Sequence, residues 1–154
     1  WAFRFVGSHP NILTTLSGMT YMEHLVDNVN TFTDFKFMSG EELEFMEKMA
    51  ALIKEYPTVN CNDCKYCMPC PFGINIPDIF KHYNDAVNEG QIAQSAEQKD
   101  FKKLRKAYLT SYNKAIPTLR QADHCIGCGQ CEASCPQHLN IIDELKNVAA
   151  KLEN

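Results

Sequence analysis

The 154-residue sequence lacks several features that would place it in a common class of protein. It has no apolar run approaching the roughly 18 residues that a membrane-spanning helix requires, and it does not open with a charged and then apolar signal sequence. Its formal net charge of -4 provides no cationic excess for nucleic acid. We therefore expect a cytoplasmic protein that binds neither membranes nor nucleic acid.

Common catalytic signatures are also missing. The sequence contains no GxGxxG, P-loop, HExxH or GxSxG motif. It has no low-complexity tract, and a hydrophobic fraction of 45% predicts a buried core rather than disorder. The length suits one compact domain, or one domain with a fragment of another.

Cysteine is the abundant exception, because all eight cysteines lie in two short windows. The first window contains Cys61, Cys64, Cys67 and Cys70. The second window contains Cys125, Cys128, Cys131 and Cys135. Secreted disulfide scaffolds distribute their cysteines along the chain, whereas spacings of two residues bring several sulfurs toward one point. The pattern therefore favours metal centres over disulfides.

The second window matches the motif C-x2-C-x2-C-x3-C-P without a gap. In this ferredoxin pattern three thiolates surround one face of a cubane cluster, and the fourth, before Pro136, is directed to a second cluster. The first window is one residue shorter before its last cysteine, which also precedes a proline, Pro71. The two windows together predict two [4Fe-4S] clusters.

Two ligand assignments remain open. In the crossed arrangement, which we favour, cluster 1 is bound by Cys61, Cys64, Cys67 and Cys135. Cluster 2 is then bound by Cys125, Cys128, Cys131 and Cys70. In the alternative, each window binds its own cluster. The crossed arrangement is favoured because the thiolate directly before proline is the one that ferredoxins exchange.

Zinc is the competing metal. Zinc ribbons place two C-x2-C pairs about 15 to 20 residues apart, so four cysteines within one short window suit a single tetrahedral ion poorly. We therefore favour iron-sulfur clusters over zinc.

Most of the remaining sequence has helical periodicity. The residues from Ser39 to Glu42 have the spacing of a capping box, and Pro77 suits the first turn of a helix. That helix has an apolar face formed by Ile79, Phe80, Tyr83 and Val87, and further apolar faces at helical spacing occur from about Glu97 to Ala115 and after Asn140. The 54 residues between the windows are mostly helical by pattern, so this region resembles the α-helical ferredoxin fold, in which helices enclose two [4Fe-4S] clusters. The predicted fold class is mainly α.

The first 36 residues have a different pattern, a short strand at residues 12–16 between two helices. A single strand cannot satisfy its own backbone groups. Because no Met precedes Trp1, we expect the chain to be the C-terminal piece of a longer protein.

The whole chain resembles the C-terminal part of an aldo/keto reductase that carries a ferredoxin-like extension. Residues 16–19 and 25–28 resemble the last strand and helix of that family's (β/α)8 barrel, and residues 64–71 are similar to the first cysteine window of the extension. The resemblance implies a barrel remnant at 1–36, a connecting helix at 37–58 and an α-helical ferredoxin-like domain at 59–154.

In that family the turn after the last strand and the following helix bind the adenosine part of NADP(H). The resemblance therefore implies a nucleotide-binding remnant formed by Gly18, Met19, His24, Asp27 and Asn28, with NADP(H) bound only in the intact parent protein. His24 stands where the family usually has an arginine for the 2'-phosphate. The family's catalytic residues have no counterparts here, so this chain alone should not reduce carbonyls.

The predicted function is an electron-transfer module that relays single electrons through two clusters, with the missing barrel of the parent chain as its partner. The alternative is a helical interaction domain that clusters or zinc stabilise without a redox role. Lysines on one side of the 97–115 helix are either a solvated face or a docking site for an acidic electron carrier. The sequence predicts no oligomeric state.

Overall fold

A computed structural model of the chain describes residues 1–93 and 95–152. In these ranges the α-helices are α1 (Ala2–Gly7), α2 (Met22–Thr33), α3 (Gly40–Glu55), α4 (Ile76–Asn88), α5 (Phe101–Ala115), α6 (Gln130–Ala133) and α7 (Ile141–Leu152). Two short 3-10 turns, Thr118–Arg120 and Ala122–His124, lie between α5 and α6. The described residues contain no β-strand, which confirms the predicted mainly α fold class. None of the described helices combines the length and apolarity needed to cross a membrane.

The chain divides into two compact units, Trp1–Tyr56 and a second unit that begins at Pro57. The first unit contains α1 to α3, and the second contains α4 to α7 together with both cysteine windows. The assignment of residues 1–36, 37–58 and 59–154 to three functional segments stays a prediction.

Helix α3 begins with the predicted capping box. The Ser39 Oγ accepts a hydrogen bond from the Glu42 backbone N–H at 3.2 Å, and the Glu42 carboxylate accepts one from the Ser39 N–H at 2.9 Å. Arg4 of α1 donates to both oxygens of the same carboxylate, at 3.0 and 2.9 Å. This bidentate pair, followed by the Ser39 hydrogen bond, lowers the pKa of Glu42. Glu42 therefore caps α3 and joins it to α1.

The strand predicted at residues 12–16 is wrong. These residues have no regular secondary structure, and Leu13 and Leu16 are 100% and 90% exposed. An extended segment becomes a strand only when a neighbouring strand pairs with its N–H and C=O groups, and the described residues provide none. The two predicted flanking helices are present as α1 and α2, but the strand of the predicted barrel remnant is not.

The second unit has a single apolar core between α4, α5 and α7. Helix α5 packs against both of the other helices. The buried side chains of this core include Phe80, Tyr108, Tyr112, Ile141 and Leu145. These positions belong to the apolar faces that the helical periodicity predicts, so the inward faces of the three helices are confirmed.

Helix α5 begins at Phe101, four residues later than predicted. The Ser95 Oγ accepts a hydrogen bond from the Glu97 N–H at 3.1 Å, and the Gln98 N–H bonds to the Ser95 carbonyl at 3.2 Å. A serine that binds nearby backbone groups favours a turn over a helix. The local turn at Ser95 therefore delays the start of α5.

The C-terminal half of α5 holds the segment that leads into the second cysteine window. The Tyr112 hydroxyl accepts a hydrogen bond from the Ala122 N–H at 3.0 Å. The buried Gln121 side chain donates to the Asn113 Oδ1 at 2.9 Å and to the Ile116 carbonyl at 3.0 Å. Since the Cys125 N–H bonds to the Ala122 carbonyl at 3.1 Å, this network fixes where the window begins.

Candidate metal centre

The two cysteine windows have the same backbone turn around their second cysteine. In the first window Asp63 and Lys65, which flank Cys64, have positive φ angles of 54° and 64°. In the second window Gly127 and Gly129, which flank Cys128, have φ angles of 73° and 77°. Left-handed residues of this kind turn successive backbone N–H groups into a concave surface that binds anions such as cluster sulfides.

The non-glycine residues in the first of these turns predict a stabilising substitution. We expect Lys65→Gly to raise the free energy of unfolding by about 1 kcal/mol, because a left-handed conformation is unfavourable for a side chain with a Cβ atom. The loss of the exposed Lys65–Asp63 ion pair, at 3.8 Å, should matter little. Thermal unfolding of the anaerobic, cluster-loaded protein measures the change.

Two further substitutions act as controls for Lys65→Gly. Gly129→Ala, at the matching position of the second window, should lower the melting temperature, because alanine strains the same conformation. Lys106→Gly, in the interior of α5, should destabilise by about 1 kcal/mol. A lower melting temperature for Lys65→Gly would contradict the proposed backbone strain.

Cysteines from both windows line one cavity. The four are Cys61, Cys64, Cys67 and Cys135. The apolar wall of the cavity comes from the start of α4 and the approach to α7, namely Ile76, Pro77, Phe80, Leu139 and Ile141. The structure thus brings together the four cysteines that the crossed arrangement assigns to cluster 1. The assignment of ligands itself stays a prediction.

Two of the predicted ligands of cluster 2, Cys125 and Cys131, lie close together. Cys125 lies close enough to Cys131 to raise the pKa of the Cys131 thiol. Cys70 is separated from them in sequence, but the Asn75 N–H bonds to the Arg120 carbonyl at 3.1 Å. That bond joins the turn after Cys70 to the segment that precedes the second window.

Burial raises the pKa values of three half-buried cysteine thiols. It is the largest cause of the raised pKa values of Cys61, Cys67 and Cys131, and Cys67 reaches about 11. Neighbouring thiols, among them Cys131, add to the increase at Cys67. At neutral pH these thiols are therefore protonated in the metal-free protein, and iron binding must release their protons.

The cysteines differ in exposure in a way that repeats between the windows. Cys64 and Cys128, the second cysteine of each window, are exposed, and the other six are half-buried. Cys67 and Cys131, the third cysteine of each window, are close enough to interact electrostatically. Each window therefore has an outer edge at the surface and an inner edge toward the other window.

The donor set fits two iron-sulfur clusters. Among the described residues, no group of three or more His, Cys, Asp or Glu side chains converges on a single metal ion. Each cysteine of a [4Fe-4S] cluster binds a different iron, so the four sulfurs surround a cavity and do not need to meet at one point. Soft thiolates, a dry apolar wall and concave N–H turns are the features that such a cluster requires.

Four of the five predicted nucleotide contacts also share a cavity, which lies in the first unit. Gly18, His24, Asp27 and Asn28 line it together with Glu23, whereas Met19 is not in this lining. The Asn28 Nδ2 donates to the Ser17 Oγ at 3.0 Å. The described lining contains two carboxylates and no Lys or Arg, so its polar groups suit ribose hydroxyls better than a phosphate. Nucleotide binding here stays a prediction.

Sequence reasoning missed three residues that contribute to this centre. Asp63 and Lys65 have the left-handed conformation of Gly127 and Gly129, and aligning the two windows on their second cysteine would have identified them. The Glu132 carboxylate accepts a hydrogen bond from the Ile142 N–H at 2.9 Å and so fixes the start of α7 beside the cysteines. No sequence signal indicates this contact, because it depends on the tertiary position of α7.

A comparison with protein families gives one match, described as a 4Fe-4S dicluster domain, over residues 60–142. The matched region includes both cysteine windows and more than half of the chain. Comparisons with curated proteins and with solved structures gave no match. A dicluster domain with these two motifs carries two [4Fe-4S] clusters and indicates iron-sulfur electron transfer. The chain therefore belongs to the 4Fe-4S dicluster domain family.

Proposed function

We propose that this chain is the electron-transfer module of an aldo/keto reductase-like oxidoreductase. The observation that carries the proposal is the order of the cysteines, with exposed Cys64 and Cys128 at the outer edges and Cys67 beside Cys131 between them. An electron that enters at one outer edge has the second cluster as its nearest acceptor. The second cluster in turn has its own exposed edge. The arrangement suits a two-step relay of single electrons.

The residues of this chain hold and insulate the clusters, which when bound supply one-electron redox chemistry. Cys61, Cys64, Cys67 and Cys135 would hold cluster 1 in the crossed arrangement. Cys125, Cys128, Cys131 and Cys70 would hold cluster 2. Backbone N–H groups of the left-handed turns would donate hydrogen bonds to the sulfides, and the wall formed by Phe80 and Ile141 would exclude water from cluster 1. Such hydrogen bonds and the degree of solvent exposure determine the reduction potential.

The aldo/keto reductase context is supported by the family resemblance and by the surface of α2. This helix exposes large apolar side chains at helical spacing, which are Met22, Leu25, Val26, Val29 and Phe32. Large exposed apolar surfaces usually mark an interface. We propose that the barrel of the parent protein covers this face and that electrons pass between the barrel and the clusters.

Nucleotide binding belongs to that intact parent in our proposal. The cavity lined by Gly18, His24, Asp27 and Asn28 offers groups for ribose, while Glu23 and Asp27 oppose a 2'-phosphate. We expect NADP(H) to produce no titration signal with this chain alone. The bound nucleotide requires the rest of the barrel.

Anaerobic reconstitution followed by reduction tests the proposed function. We expect about eight irons per chain, acid-labile sulfide in equal amount, and EPR signals of two reduced, spin-coupled clusters after dithionite treatment. About four irons or fewer would contradict the presence of both clusters. Full loading without reduction by a strong reductant would overturn the relay and favour the purely structural alternative.

A further inference from the structure

Helix α5 concentrates positive charge on one exposed face. It contains no Asp or Glu, and Lys102, Lys103 and Lys106 are exposed in its first two turns, with exposed Lys99 just before it. We call these four residues the lysine face. No carboxylate among the described residues pairs with them. The whole chain has a net charge of -4, so this concentration of lysines contrasts with the rest of the molecule.

The lysine face is placed where it destabilises its own helix. Lys102 and Lys103 lie in the first turn after Asp100, next to the positive end of the helix dipole. Lys102 and Lys106 also form a like-charge pair four residues apart, which repel each other. Acidic residues would stabilise these positions. A surface that opposes the local stability of its helix is expected where binding requires it.

We propose that the lysine face binds an acidic polypeptide partner of the electron-transfer module, an inference that rests on the proposed function. Charge complementarity identifies the partner. A cluster of carboxylates on a protein is small enough to meet three lysines within the first two turns of α5 and Lys99 just before it. Nucleic acid and anionic bilayers extend well beyond so small a patch, on a chain whose net charge is -4. The face also offers no large exposed apolar side chain for insertion into a bilayer.

The position of the lysine face relative to the cysteines defines its role. The C-terminal half of α5 contacts the segment before Cys125, whereas Arg105, in the N-terminal half, donates to the Leu152 carbonyl at the end of α7. Helix α7 begins with Ile141 in the wall of the cysteine cavity and ends at Leu152. Because Arg105, which neighbours the lysine face in sequence, contacts this far end of α7, the lysines lie about one helix length from the cavity. The lysine face therefore attracts and positions the partner, and electrons do not pass through it.

Binding of an acidic probe to the cluster-loaded protein tests the proposal. The probe is fluorescently labelled poly-L-glutamate, measured by anisotropy at low salt. We expect binding that the triple variant Lys102→Glu, Lys103→Glu and Lys106→Glu weakens roughly ten-fold or more. The matched control carries Lys36→Glu, Lys48→Glu and Lys54→Glu, which change the net charge equally in the first unit, and it should keep its affinity within about two-fold.

Thermal unfolding separates lost binding from lost structure. The melting temperature of the α5 variant should stay the same or rise, because glutamates in the first turn interact favourably with the helix dipole. Lost affinity together with a lower melting temperature and lost cluster absorbance would count against the proposal. Single Lys102→Glu and Lys103→Glu variants provide the same test with less perturbation.

Three outcomes would overturn the proposal: no binding of polyglutamate at low salt, an equal loss in both triple variants, or tighter binding to duplex DNA or phosphatidylserine vesicles. Dithionite reduction of the clusters is measured on the same samples. If the unsubstituted protein is reduced normally but fails to bind the probe, only the docking proposal is lost. If reduction fails in a protein that binds the probe, only the relay is lost.

Discussion

Cys70→Ala is expected to abolish the remaining cluster in a variant that already lacks Cys61 and Cys64, whereas Cys135→Ala in the same background leaves that cluster intact. In the crossed arrangement, loss of Cys61 and Cys64 removes cluster 1, to which Cys135 belongs. Cys70 then supplies the fourth thiolate of the surviving cluster 2. The shared cavity of Cys61, Cys64, Cys67 and Cys135 is the structural reason for this expectation.

Iron and sulfide content with EPR spectra of anaerobically reconstituted variants measures the result. The parent double variant should hold about four irons, the variant with added Cys135→Ala about four, and the variant with added Cys70→Ala close to none. The reciprocal background, which lacks Cys125 and Cys128, is the control, and there the two substitutions should exchange their effects. The opposite pattern in both backgrounds would establish that each window binds its own cluster.

Phe80→Ala is expected to destabilise the second unit by about 3 to 5 kcal/mol. Phe80 is 0% exposed, belongs to the core of α4, α5 and α7, and lines the cysteine cavity. Its removal leaves a void in the core and opens the wall beside cluster 1. A loss of this size is a large fraction of the roughly 5 to 15 kcal/mol that stabilises a typical domain.

Unfolding of the cluster-loaded protein in denaturant measures the effect of Phe80→Ala. Phe72→Ala is the matched control, because Phe72 is 47% exposed and lies in the turn after Cys70. We expect this control to change stability by about 0.5 kcal/mol or less. Equal effects at both positions would contradict the role of Phe80 in the core.

The sequence was sufficient to predict the features that depend on local chemistry. The capping box at Ser39 needs only residues three apart, and the inward face of α4 follows from helical spacing. The cysteine windows are equally local, because their spacings match the geometry of a cluster, and the dicluster family match confirms the predicted cofactors.

Features that depend on tertiary context were predicted less well. The strand at residues 12–16 requires a pairing partner, which periodicity cannot supply, and its side chains are exposed. The start of α5 depends on the Ser95 turn, which competes with the helix for backbone N–H groups. Lys65 has a left-handed conformation that helix and strand propensities do not indicate, since it belongs to the turn around Cys64. The aldo/keto reductase parent stays a prediction for a similar reason, because it concerns contacts beyond this chain.

The exposure of Cys64 and Cys128 affects how the two clusters are lost when the protein is kept in air. Dissolved oxygen would reach each cluster through its own surface edge, without first passing the other cluster. The two clusters would therefore decay in parallel rather than in a fixed order. A half-loaded sample would then be a mixture of chains that have lost different clusters, and its spectrum would represent no single species.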